Sequence, residues 1–267
     1  MPTALITGAS SGIGLELARR FAAGRHDLVL VARRADRLAE IAARLSQDAR
    51  VTVTPLPADL TDPRVPRLLV ETLAGRGITV DTLVNNAGIG LYGAFSDTPL
   101  DAELAMIRLN VTSLVQLTKL LLPGMVARGV GRIVNIASTA GFQAGPLMSV
   151  YYATKAFVIA FSEGLAEELS GSGITVTAVC PGPTRTGFQA AAGLPGVRSL
   201  QRGIMMEAAA VADVAYAGAV AGRRLVVPGL INRLHLQALR VAPRRLVARC
   251  VRVVNRHFAK TTTAAGP

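Results

Sequence analysis

Tyr151 and Lys155 stand four residues apart in the run Tyr151-Tyr152-Ala153-Thr154-Lys155-Ala156-Phe157, so on a helix both side chains leave from one face. A free phenol titrates near ~10 and is a poor proton carrier at neutral pH; an ammonium beside it favours phenolate and lowers that value. The spacing therefore predicts an acid-base tyrosine at 151. Tyr152 has Ala156 one turn on and lacks this help. Ser138 follows the apolar run Arg132-Ile133-Val134-Asn135-Ile136-Ala137, where a hydroxyl can hydrogen-bond a carbonyl and turn it toward Tyr151. Asn110, polar among Met106, Ile107, Leu109 and Val111, is either a satisfied core amide or the anchor of a water that relays protons to Lys155. A Tyr/Lys pair at this spacing also suits a solvated helix face, and only its context gives it chemical weight.

That context is a strand-helix alternation. Thr7-Gly8-Ala9-Ser10-Ser11-Gly12-Ile13-Gly14 lies between the apolar run Ala4-Leu5-Ile6 and a helical pattern from Leu15 to Phe21. Glycines let the chain turn sharply at a strand end, and the free N–H groups of a helix start attract phosphate. Further apolar runs at 28–32, 51–56, 82–84, 132–137, 175–180 and 225–227 do not alternate with polar residues, the pattern of strands covered on both faces. The fold class expected is α/β: a doubly wound, Rossmann-like parallel sheet of about seven strands, with ligands beyond the carboxyl ends of the strands.

Composition narrows the partners. A chain of 267 residues, 51% hydrophobic, can bury one full core, expected over residues 1–230 with a basic C-terminal extension over 231–267. Aromatics make up 4% and Trp is absent, leaving little with which to stack single-stranded nucleic acid. The net charge of +12 belongs to one end, because ten basic residues and no acid follow Asp213. The high pI of 11.0 is therefore a property of the tail, outside the expected cleft, and argues against a nucleic-acid module. Cys180 and Cys250 offer neither a metal spacing nor a disulfide framework, so no metal is expected and a reducing, cytoplasmic compartment is. No uninterrupted apolar run reaches the ~18 residues of a membrane span. His26, His235 and His257 read as scattered surface residues, Cys180 as core, and residues 261–267 as a disordered end.

With these residues in place the chain resembles the short-chain dehydrogenase/reductase family, over roughly residues 3 to 230. Thr7-Gly8-x-x-x-Gly12-x-Gly14 is that family's glycine pattern, Asn85-Asn86-Ala87-Gly88 is similar to its motif after the fourth strand, and Asn110, Ser138, Tyr151 and Lys155 match its catalytic tetrad. The resemblance implies hydride exchange between a nicotinamide and a carbon bearing oxygen. Ser138 would polarise the carbonyl, Tyr151 donate the proton, Lys155 lower the Tyr151 pKa and hold the nicotinamide ribose, and Asn110 connect Lys155 to solvent. It also implies a cofactor path over Gly8, Ser10, Ser11, Gly12, Ile13 and Gly14, past Asp59 and Leu60 at the adenine and Asn86, Ala87 and Gly88 beneath, to Pro181, Gly182, Thr184 and Thr186 at the carboxamide. Homodimers or homotetramers through the helices near 102–127 and 150–170 are part of the same expectation.

The second strand run ends Val31-Ala32-Arg33-Arg34 with no carboxylate, so Arg33, with Arg34 beside it, favours the 2'-phosphate of NADP over NAD. Asp59 also suits a turn cap with Thr61 and Asp62. Segments 90–95, 140–150 and 188–206 hold Phe142, Leu147, Met148, Phe188, Leu194, Ile204 and Met205, which suggests a lipophilic carbonyl or alcohol or ordinary packing; Arg185 and Arg202 keep an anionic substrate open. Pro243 divides the tail into helices near 229–241 and 243–258. In the second, Val247, Cys250, Val251, Val254 and Phe258 share a stripe opposite Arg245, Arg249, Arg252 and Arg256. That helix suits peripheral contact with an anionic membrane, closure over the substrate pocket, or packing on a sister subunit. The competing function is a non-catalytic dinucleotide-binding regulator on the same fold.

Overall fold

A computed structural model describes residues 1–194 and 205–260, with side chains through Arg256. Nine strands alternate with ten α-helices among these residues. The strands are β1 (Thr3–Thr7), β2 (Asp27–Ala32), β3 (Val53–Pro57), β4 (Thr82–Asn85), β5 (Gly131–Ile136), β6 (Ile174–Val179), β7 (Thr184–Arg185), β8 (Met206–Glu207) and β9 (Leu225–Val226). The helices are α1 (Gly12–Ala23), α2 (Ala35–Ala49), α3 (Val65–Gly75), α4 (Leu100–Ile107), α5 (Ser113–Arg128), α6 (Ser149–Glu168), α7 (Phe188–Ala191), α8 (Ala208–Val220), α9 (Leu230–Val241) and α10 (Arg244–Lys260).

Seven strands form one parallel sheet in the order β3-β2-β1-β4-β5-β6-β9. Successive residues serve opposite layers, which explains the absence of polar alternation. Ala4, Ile6, Leu28 and Leu30 pack with α1, α2 and α8, whereas Leu5, Val29 and Val31 pack with α3, α5 and α6. The chain runs outward from β1 through β2 to β3, then returns to the other side of β1 as β4, leaving a crevice at the reversal beyond the strand ends. The short β7-β8 pair, which the sequence reading did not anticipate, stands apart from this sheet.

A buried polar rung crosses the second half of the sheet. Asn85 Nδ2 donates to Asn135 Oδ1 at 2.9 Å and Thr118 Oγ1 at 3.1 Å, and Asn135 Nδ2 donates to Ser162 Oγ at 2.9 Å. Each buried amide is thereby matched, and the rung fixes β4, β5, α5 and α6 in relative position. Helix α4 continues through a π turn, Arg108–Thr112, into α5. The continuous helix Leu100–Arg128 is long and apolar enough to cross a membrane, but Leu114, Leu117 and Met125 on it are buried against the sheet and α6.

His26 corrects an expectation: it is 8% exposed, its Nδ1 lies 3.0 Å from Gly24 O, and its ring meets Phe21 edge-on. Desolvation there holds its pKa below the usual value. His235 is exposed as expected, whereas the side chains of His257 and Phe258, and all of Arg202, Ile204 and 261–267, lie outside the described residues.

Candidate active site

The carboxyl ends of the strands open into a cleft of ≈ 1080 Å³. Its floor begins at the turn after β1, where Gly8 has φ +67°, a region that favours glycine. Gly14, in the first turn of α1, packs so closely that a Cβ would collide with Asn86 Nδ2 and Gly8 O. Asn86 is the reason. It donates through Nδ2 to Thr7 O at 2.9 Å, while the backbone N–H groups of Asn86 and Ala87 donate to Thr7 Oγ1 at 3.0 and 2.9 Å. The ends of β1 and β4 are thus stitched together beneath the turn. Ser11 precedes α1 without a side-chain cap, so its hydroxyl does not compete for the first-turn N–H groups.

Gly8, Ser10, Ser11, Gly12, Ile13, Arg33, Arg34, Asp59, Leu60, Asn86, Ala87, Gly88, Pro181, Gly182, Thr184 and Thr186 all line the cleft. Gly14 does not; it contributes through packing. Arg34 Nη2 donates to Ser10 Oγ at 3.3 Å, tying the end of β2 to the glycine turn, while Arg33 stays exposed at the cleft edge. Asp59 accepts from Thr61 N at 3.0 Å and Thr61 Oγ1 at 2.8 Å, the turn cap its sequence suggested, from a position that also faces the cleft. These residues fit a phosphorylated dinucleotide: a cradle stripped of side chains, an uncapped helix start and cations where a ribose phosphate would fall.

Ser138, Tyr151 and Lys155 converge at the other end of this floor. Ser138 ends β5, accepts from Ala140 N at 3.1 Å and hydrogen-bonds the Tyr151 phenol. Lys155 is 6% exposed; its Nζ donates to Ile136 O at 2.8 Å and lies 5.9 Å from the centre of the Tyr151 ring. The spacing argument needs a correction here. Burial pushes the Tyr151 phenol up to about 12 against the lowering effect of Ser138, and burial brings Lys155 down to about 8. The ammonium is anchored to a carbonyl beside the ring, and in this dry cleft desolvation outweighs it. Both groups keep their protons at neutral pH. Cys180, at 0% exposure, is core as expected, with its thiol pushed up to about 12 by burial.

Asn110 sits in the π turn and outside the cleft lining. It accepts from Ile89 N at 3.0 Å and donates to Ile89 O at 2.9 Å and Thr154 Oγ1 at 3.1 Å. Thr154 Oγ1 in turn donates to Tyr151 O at 2.7 Å, so Asn110 holds the loop after β4 against the helix that carries Tyr151 and Lys155. It approaches Lys155 across Gly88, whose Cβ, if present, would lie 3.3 Å from Asn110 Oδ1 and 3.6 Å from Lys155 Nζ.

The remaining walls come from residues the sequence did not assign to a site. Phe188 leans on the Tyr151 ring at 5.2 Å and covers Gly90. Helices α9 and α10 close over the cleft with Ile231, His235, Leu239, Leu246, Val247 and Val251. One buried polar residue holds α10 down: Asn255 Nδ2 donates to Pro146 O at 2.8 Å, its carbonyl accepts from Tyr92 Oη at 2.9 Å, and its side chain hydrogen-bonds Tyr152. Asn232 does the same for α9, donating to Pro228 O at 2.7 Å and pressing on Gly182. Of the three roles open to the tail, pocket closure is the one its apolar stripe performs here. Periodicity could find the stripe; nothing local marks Asn232 or Asn255.

The family described as short chain dehydrogenase matches residues 2–195. Sulfoacetaldehyde reductase 2 of Chromohalobacter salexigens is 41% identical over 189 residues, 69% of this chain and 73% of that protein. A short-chain dehydrogenase from Sphingobium yanoikuyae, solved in complex with NADPH, is 41% identical with a TM-score of 0.81, covering 90% of this chain and 92% of its own. The bulky-bulky ketone specific alcohol dehydrogenase from Comamonas testosteroni is 35% identical with a TM-score of 0.75, covering 91% and 95%.

Proposed function

Since the chain belongs to the short-chain dehydrogenase/reductase family, we propose that it is an NADP-dependent oxidoreductase interconverting a lipophilic ketone or aldehyde and its alcohol. The observation that carries this reading is the convergence of Ser138, Tyr151 and Lys155 on the glycine turn, in one cleft. When bound, the nicotinamide supplies or accepts the hydride at C4. Ser138 hydrogen-bonds the substrate oxygen and Tyr151 gives it a proton, a direction suited to a phenol that stays protonated up to about 12. Lys155 offers a buried cation to the ribose and to the oxygen as charge develops there. Asn110 keeps Tyr151 and Lys155 in register with the loop after β4. Arg33 takes the 2'-phosphate, and Arg34 steadies the turn beneath it.

Lipophilic specificity follows from Phe188, Leu239, Leu246, Val247 and Val251 around the far wall. The named action of the Comamonas testosteroni relative on bulky ketones supports that choice. Oligomerisation follows from apolar side chains on α4 and α6: Leu104 and Ile107 are 37% and 38% exposed, and Phe157, 40% exposed, stacks on Phe161. A cytoplasmic site suits two free cysteines. The test is a panel of bulky and small carbonyl compounds with NADPH and NADH, alongside a cofactor titration by fluorescence. Turnover of bulky carbonyls with NADPH is expected. Tight NADPH binding without turnover of any member would favour the regulatory reading instead.

A further inference from the structure

The C-terminal helices have a second side that the cleft does not use. On α10, Arg245, Arg249, Arg252 and Arg256 are all exposed and fall within about 60° of one another at ~100° per residue, on the side away from Val247, Val251 and Asn255. Among the described residues none of the four is in an ion pair. On α9, Leu230, Leu234 and Val241 are 69%, 61% and 87% exposed and lie within about 40° of one another. Between these faces stand Ile231, Leu246 and Val254, which line the cleft and are still 64%, 54% and 52% exposed, so its mouth has an aliphatic rim.

An array of unpaired arginines beside exposed aliphatic side chains matches the two layers of one surface, acidic headgroups over hydrocarbon. A soluble polyanion such as nucleic acid would satisfy the arginines but leave the leucines in water. We propose that α9 and α10 dock this protein on an anionic lipid surface, with the cleft mouth facing the bilayer so that lipophilic substrate enters from it. Docking itself stands on the charge and the exposed apolar residues; only substrate entry rests on the reductase reading.

The test is flotation of the full-length protein with vesicles of phosphatidylcholine, alone or mixed with phosphatidylglycerol, which reads docking without turnover. The protein is expected to float with the mixed vesicles only. Each arginine near an anionic surface strengthens binding about fivefold, so R245E/R249E/R252E/R256E is expected to lose several-hundredfold in partition while its NADPH titration is unchanged. Should that variant not fold, raising salt to 1 M, where the Debye length is about 3 Å, serves as the same test on the unaltered chain and must release it. Equal flotation on neutral vesicles, flotation on neither, or flotation indifferent to both the substitutions and salt would overturn the proposal. A dimer measured by light scattering and lost in the variant, without any flotation of the parent, would assign the face to a second copy and overturn it equally.

Discussion

The two ends of the cleft are built on opposite principles. Around the glycine turn, function depends on side chains being absent and on backbone pinned by Asn86 and Thr7, so position is set by residues already in the sheet. Over the substrate end, the wall is side chains on α9 and α10, secured by Asn232 and Asn255. The first end has one workable geometry. The second can be re-shaped by trading one aliphatic side chain for another, which is how a common reaction accommodates different substrates.

The largest expected effect lies where the two ends meet. Tyr151→Phe removes the proton donor and is expected to lower kcat by about 10²–10⁴, with NADPH affinity unchanged in a fluorescence titration. A change in NADPH affinity instead would move Tyr151 from the reaction to the cradle. Arg33→Ala removes a charge-assisted contact, worth about 1.5–3 kcal/mol, and is expected to raise the KM for NADPH roughly 10- to 100-fold with little change for NADH. Equal effects on both cofactors would take Arg33 out of the phosphate site. Gly14→Ala forces a methyl against Asn86 and Gly8, and is expected to cost about 1–3 kcal/mol in a denaturant melt and to weaken NADPH. Asn255→Ala is the smallest: about 1 kcal/mol of latch, seen as a severalfold change in KM for bulky carbonyls while NADPH binding stays put. If Asn255→Ala weakened NADPH as much as Gly14→Ala, the two ends would not be separable.

Lys155 gives the comparison a pH signature. Its folded pKa, about 8, is below the ordinary 10.5, so between these values the unfolded chain binds more protons and stability rises with pH; below about 8 the full cost of the buried ammonium is present. Melts of the parent and Lys155→Met between pH 7 and 11 are expected to show the parent gaining relative to the variant across that window. Parallel curves would mean the ammonium is not desolvated by the fold.

Strands, sheet order and the glycine turn were legible because each leaves a local mark: apolar runs without alternation, and glycines at a strand end. The Tyr151/Lys155 spacing was legible for the same reason. Their electrostatics were not, since a four-residue window knows the partner charge and not the depth of burial that overrode it. His26 was misjudged on the same ground. The sequence treated Asn110 as part of an ordinary helix, because a π turn has no compositional signature, and it missed Asn255 because Tyr92 is 163 residues away in the chain. Asn135, a polar residue inside a strand run, was a signal available and unused; an amide in a doubly covered strand needs a partner, and Asn85 and Ser162 are those partners.

The π turn at Arg108–Thr112 also sets the angular index of everything after it. An α-helix advances ~100° per residue, so excising one residue here to restore regular winding would rotate α5 by about that angle relative to α4. Leu114, Leu117 and Met125 would then swing off the sheet and carry Thr118 away from Asn85. Among single-residue deletions in this long helix, those inside the π turn should be distinguished by damage that arrives downstream, as a dephased core, in addition to the local loss of Asn110.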